Sequence, residues 1–254
     1  MIDLRKLLFV GALGLAAITL PSTVALAEAR NIVLVHGMNI GGWVWRGVYD
    51  RLVADNYTVT VAQMPLTSFE ADLAAVERVL ELQQGPVVLV GHSYAGFILG
   101  EAGMDPDVQA LVYVAGFKPD IGESQMSLTS AVPSELATES LLLFDDGHYL
   151  VDAEAWVRNV ANGLNETDAW FTARSQAASN SATFQHQATA AAWKEKPTWS
   201  AIATLDRTIA PELQRQMSER SGARTVEIEG GHMIPMTNPD EIVSLIKQAA
   251  KSVD

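Results

Sequence analysis

Short apolar runs recur along the chain at 31–35, 57–62, 86–90, 108–115, 198–204 and 224–229. The first, Asn31-Ile32-Val33-Leu34-Val35, lacks polar alternation after Asn31 and stops at His36-Gly37. Continuous runs of this kind suit parallel strands covered on both faces. The segments between them carry helical spacing. After the second run, Thr67 and Glu70 frame a capping box, and Phe69, Leu73, Val76 and Leu80 fall on one stripe. Near the end, Asn238 and Pro239 are placed as the cap and first turn of another helix. The alternation predicts an α/β fold with a mostly parallel six-stranded sheet, right-handed crossovers and helices on both faces. In such a fold, functional residues lie beyond the carboxyl ends of the strands.

The rhythm breaks between Phe117 and Lys196, where the chain is alanine-rich with helical spacing and carries Trp156, Trp170, Phe171, Phe184 and Trp193. This predicts a helical cap over 117–196, inserted after the fifth strand into a core of 28–116 and 197–254, with most of its aromatics serving as core. At the N-terminus, Arg5 and Lys6, the apolar stretch 7–20 and Ala25-Leu26-Ala27 form a signal peptide, 1–27, with cleavage expected after Ala27. The apolar stretch is short for a membrane span and ends at Pro21. The expected product is periplasmic or secreted, with no stable membrane span.

Thirty acidic against 17 basic residues, a formal net charge of −13, argue against nucleic acid or anionic membranes as partners. The absence of cysteine excludes disulfides and thiolate metal sites. Neither a metal nor a cofactor is expected.

Gly91-His92-Ser93-Tyr94-Ala95 follows the third run directly, as a G-x-S-x-G nucleophile elbow does, with Ala95 where the second glycine usually stands. The corner is cramped, so small residues are expected two before and two after Ser93. The following residues, Phe97 to Glu101, supply a helix whose N-terminal dipole faces the serine. A serine hydroxyl is a poor nucleophile until an imidazole takes its proton and a carboxylate orients that imidazole. Asp206 follows the fifth run and His232 the sixth, giving the order Ser, Asp, His. Asp120, after the fourth run, is a rival acid, because a carboxylate there can also reach the histidine. His36 and His92 are better placed to hold loops by hydrogen bonds, and His148 and His186 to face solvent or act as caps.

Four segments together, the elbow, His36 to Trp45, Asp206 to Pro211 and Gly230-Gly231-His232-Met233, resemble the plant methylesterase and hydroxynitrile lyase group of α/β-hydrolases and its bacterial relatives. The resemblance covers nearly all of the chain after the leader. It implies Ser93 as nucleophile, His232 as general base and then acid, Asp206 as orienting carboxylate, and the backbone N–H groups of Met38 and Tyr94 as oxyanion hole. In the lyase branch a threonine stands where this chain has Gly37, and a lysine where it has Met233. Ser93, in place of an aspartate, excludes dehalogenase and epoxide-hydrolase chemistry. The expectation is hydrolysis of small or medium carboxylic esters through an acyl-serine, with a lyase-like activity or non-catalytic small-molecule binding as alternatives. Leu141 to Phe144 and the tryptophans of the insertion suggest an apolar acyl or alcohol pocket, with packing of the cap on the core as the alternative for the same residues.

Overall fold

The structure is a computed structural model that describes residues 29–253; the signal peptide expected at 1–27 lies outside the described residues. The first apolar run forms β1 (Asn31–Val35). Its residues alternate between two cores: Ile32 and Leu34 pack with Trp45, Leu52 and Ile246 on one face, Val33 and Val35 with Phe69 and Leu99 on the other. Both faces are therefore apolar because both are covered, and each fully buried side chain contributes roughly 1.5–3 kcal/mol. The chain continues through α1 (Arg46–Ala54), β2 (Thr58–Ala62), α2 (Phe69–Leu80), β3 (Val87–His92), α3 (Ala95–Ala102) and β4 (Val108–Val114).

The apolar stripe of α2 is buried at Phe69, Val76 and Leu80, with Leu73 packed against it. Its cap differs from the expectation by one residue. Ser68, not Thr67, is extended (φ −161°, ψ 163°), and its Oγ accepts the Ala71 N–H at 3.1 Å. A hydroxyl at this position reaches the third helical N–H, which fixes the register of the cap.

The next segment holds α4 (Gln125–Ala131), β5 (Leu141–Leu143), β6 (His148–Val151), α5 (Ala153–Ala155), α6 (Glu166–Arg174) and β7 (Ser179–Asn180), with a π-helical turn at Trp156–Val160. The expected helices are interleaved with three short antiparallel strands in the order β5-β6-β7. This insertion follows the fourth core strand in the chain, not the fifth, because only four core strands precede it. The core then resumes with β8 (Thr198–Ala203), α7 (Pro211–Arg220), β9 (Arg224–Ile228), α8 (Ile234–Thr237) and α9 (Pro239–Lys251). Pro239 begins α9 as expected, but the Asn238 side chain does not cap it. That amide instead accepts from the Thr237 hydroxyl and donates to Glu241.

The six core strands are parallel in the order β2-β1-β3-β4-β8-β9. The strand order reverses between β1 and β3, where Val35 lies level with Gly91. His36-Gly37 and His92-Ser93 therefore leave the sheet side by side, opening the crevice in which sites of such folds form.

Candidate active site

Ser93 sits at φ 59°, in the left-handed region that costs an ordinary residue roughly 1–2 kcal/mol. Three hydrogen bonds hold it there. Its N–H donates to Val114 O at 3.2 Å, and its carbonyl accepts from the N–H groups of Gly96 and Phe117, each at 3.1 Å. A Cβ on Gly91 would come within 2.6 Å of Leu99 Cδ1, so the small residue two before the serine is required. The tighter demand falls three after it, not two. A Cβ on Gly96 would lie 1.7 Å from the Phe117 carbonyl oxygen, whereas the methyl group of Ala95 is accommodated in the core.

His232 bridges the serine and a carboxylate. Its Nε2 lies 2.9 Å from Ser93 Oγ and its Nδ1 2.8 Å from Asp206 Oδ2. Asp206 also accepts from the N–H groups of Thr208 (2.7 Å) and Ile209 (3.0 Å) and from Gln214 Nε2 (2.8 Å). A carboxylate only accepts, so His232 Nδ1 carries the proton and Nε2 is free to accept the serine hydroxyl. All three side chains are buried. The helical turn after Ala210 supplies Gln214, which fastens the carboxylate to the end of β8 through its second contact, with Ala203 N–H.

The rival acid lies elsewhere. Asp120 pairs with Lys194 and accepts from Ile121 N–H; the hydrogen bond from Lys194 holds its carboxyl below the usual range. Among the other histidines, His36 donates from Nδ1 to Gly37 O at 2.9 Å and accepts the Met64 N–H at Nε2. Burial lowers its pKa and keeps it neutral. His92 donates from Nε2 to the His232 carbonyl at 2.9 Å, and its ring centroid lies 4.6 Å from that of His232. Burial, reinforced by His232, pushes its pKa well below the ordinary value. His148 sits in β6 against Asp146, and His186 stacks on Phe69 at 3.5 Å.

A cavity of about 450 Å³ opens on Ser93 and His232, and Met38 and Tyr94 contribute to its wall. Ile40, Phe117, Tyr149, Trp156 and Phe184 line it together with polar residues such as Gln125, Thr129 and Thr208, and among the described residues no Asp, Glu, Lys or Arg does. Of the run 141–144, Leu141 alone faces this space; Leu142, Leu143 and Phe144 are 50, 68 and 50% exposed. Phe171 is also exposed, while Trp193 is buried with its indole N–H on Pro119 O. Gly37 lies against Ser93, because a Cβ there would stand 2.7 Å from Ser93 Cβ. Met233 is fully buried in the apolar core and does not line the cavity.

Three positions near the site escaped the sequence reading. Gln214 is the first. Asn39, at φ 57°, donates its N–H to Ser179 Oγ (2.9 Å), donates its side-chain amide to the carbonyls of Tyr149 and Ala177, and accepts the Ala177 N–H. Its signal is the residue type, since asparagine tolerates left-handed backbone. Asp72 is fully buried and accepts from Leu66 N–H at 2.7 Å and from the Tyr94 hydroxyl at 3.1 Å. Its signal is its place on the apolar stripe of α2, between Phe69 and Val76.

Residues 32–245 match the alpha/beta hydrolase family, and the chain belongs to it. A probable hydrolase of Phoma sp. is 28% identical over 214 residues, covering 78% of this chain and 86% of that protein. Methylesterase 8 of Arabidopsis thaliana is 31% identical over 126 residues, 43% of this chain and 46% of its own. Among solved structures, an extracellular alpha/beta-hydrolase from a Paenibacillus species, described as sharing structural and functional homology with tobacco salicylic acid-binding protein 2, superposes with a TM-score of 0.73. It is 16% identical, over 86% of this chain and 98% of that one. Among the described residues, no helix is long and apolar enough to cross a membrane, and no group of three or more His, Cys, Asp or Glu is placed to hold a metal ion.

Proposed function

We propose that the protein hydrolyses carboxylic esters of small or medium size through an acyl-serine intermediate on Ser93. The observation that carries this reading is the hydrogen-bonded series Ser93, His232, Asp206, whose serine end opens on the uncharged cavity. His232 Nε2 takes the hydroxyl proton as Ser93 Oγ attacks the ester carbonyl, and Asp206 stabilises the imidazolium that forms. The N–H groups of Met38 and Tyr94 receive the oxyanion. His232 then protonates the departing alcohol and, in the second half, activates the water that releases the acid. His92 stays neutral beside it, so no second cation opposes the imidazolium.

The division into a core of 28–116 and 197–254 and a cap of 117–196 belongs to the same reading, the cap supplying much of the cavity wall. Export after cleavage at Ala27 does too, and N-terminal sequencing of protein recovered outside the cytoplasm tests it. Hydroxynitrile cleavage is disfavoured locally. A threonine at position 37 would collide with the nucleophile, and position 233 faces the core.

The wild type is expected to turn over p-nitrophenyl esters, to react with a fluorophosphonate probe at Ser93 and to release no cyanide from mandelonitrile. Ser93→Ala should fold and lose both ester turnover and labelling. Labelling of Ser93→Ala at the wild-type rate would sink the assignment, as would catalysed cyanide release without ester turnover. A ligand that raises the melting temperature of a wild type with no turnover would favour binding without catalysis.

A further inference from the structure

We infer that Asp72 is a positioning residue for the oxyanion hole: it holds the Tyr94 phenol and so fixes the direction of the Tyr94 backbone N–H. This rests on the ester-hydrolase reading above, in which that N–H meets the developing oxyanion. Oxyanion donors are effective only when aimed beforehand at the place where charge will develop. The peptide between Ser93 and Tyr94 follows a residue in strained, left-handed backbone, so it must be pinned at both ends to keep one direction. At the serine end Val114, Gly96 and Phe117 do so. At the other end the Tyr94 side chain runs into the core, and its hydroxyl stops on Asp72 Oδ2.

The second carboxylate oxygen is equally committed. Asp72 Oδ1 accepts from Leu66, itself a non-glycine residue at φ 60°, and the Leu66 carbonyl accepts the Asn180 N–H of β7 at 2.8 Å. The neighbouring Ser179 accepts the N–H of Asn39, the residue after the other oxyanion donor, Met38. Both donor-bearing loops are thus tied to the same two-residue strand of the insertion. An aspartate suits the junction because both of its oxygens accept. An asparagine of the same size turns an NH2 group toward one of the two donors.

Asp72→Asn, Tyr94→Phe and the double variant test this with p-nitrophenyl butyrate as substrate and phenylboronic acid as a mimic of the tetrahedral adduct. The expected result is a fall in kcat of about tenfold in each single variant, with KM within about twofold of the wild type. Boronate affinity should weaken in parallel with kcat, and the double variant should fall no further than either single one. Tyr94→Phe keeps the ring and the backbone N–H, so it remains informative where Asp72→Asn folds poorly. Folded variants with wild-type kcat and boronate affinity, even with a lowered melting temperature, would overturn the inference and leave Asp72 a structural role alone. A wild type that neither turns over esters nor labels at Ser93 is a different result, removing the hydrolase reading and this inference with it.

Discussion

Asp206 and Asp72 are both shut away from water within reach of the elbow, yet their surroundings offer them different donors. Asp206 receives four N–H donors, two from backbone, one from Gln214 and one from His232. Asp72 receives one backbone N–H and one phenol. For Asp72 burial wins: it lifts the carboxyl to about 6 against the opposing hydrogen bonds from Leu66 and Tyr94, and the nearby Glu70 pushes the same way. Burial is common to the two acids, and the donor set distinguishes the one bonded to an imidazole from the one that secures a hydroxyl.

Exchanging the acid for its amide sharpens the contrast most at Asp206. Asp206→Asn should lower kcat by about four orders of magnitude, because the amide favours the wrong imidazole tautomer. Asp120→Asn should stay within about twofold of the wild type in the same ester assay. The opposite ranking would transfer the orienting role to Asp120 and dissolve the comparison.

Lys118 extends the comparison to a cation. Its amine is buried between the hydroxyls of Ser200 and Ser218, each at 3.3 Å, and lies over the Tyr113 ring. Burial, aided by the charge of Arg220, drops its pKa to about 7. The unfolded chain holds that proton to about pH 10.4, so between these values it binds more protons than the native state and stability rises with pH. Lys118→Met should therefore raise stability by about 3 kcal/mol at or below pH 7, the gain shrinking toward pH 10. Ser200 and Ser218 stay bonded to each other at 2.7 Å. Urea midpoints at pH 7 and 9.5 check this, and an equal gain at both would refute the account.

A smaller effect is expected at Asp72, with the opposite slope. Its folded pKa, about 6, stands above an unfolded value of about 3.9. Between the two the native state holds a proton that the unfolded chain has released, so its contribution falls as pH rises, by about 2 kcal/mol from pH 4 to 6. Comparing urea midpoints of the wild type and Asp72→Asn across that range isolates the contribution. A slope unchanged by the substitution would place it on other groups.

The core was legible because its central strands β1 and β3 are covered on both faces and read as nearly unbroken apolar runs, while the edge strands β2 and β9 keep enough apolar positions to continue the alternation. The elbow and the segments around Asp206 and His232 were legible because they follow such runs. The insertion was less so. The strands β5, β6 and β7 are too short for a period to emerge, and β7 is Ser179-Asn180, two polar residues without strand character of their own. Ser68 and Thr67 are adjacent hydroxyl residues, so composition alone left the start of α2 uncertain by one position. Gly96 reveals its part only through a distant neighbour, the carbonyl of Phe117, and Asp72, marked as unusual by its place on the stripe of α2, finds its partner in the distant phenol of Tyr94.

The bonds of Asn39 bear on how such a chain can be inherited. Its backbone N–H, backbone carbonyl and side-chain amide all end on Tyr149, Ala177 and Ser179 of the insertion. A segment grafted from a relative with a different path through those three positions would arrive without matching partners and leave the loop after β1 unstitched beside Ser93. Exchange of the segment that holds those residues thus puts four hydrogen bonds at risk together, and point changes that spare them do not.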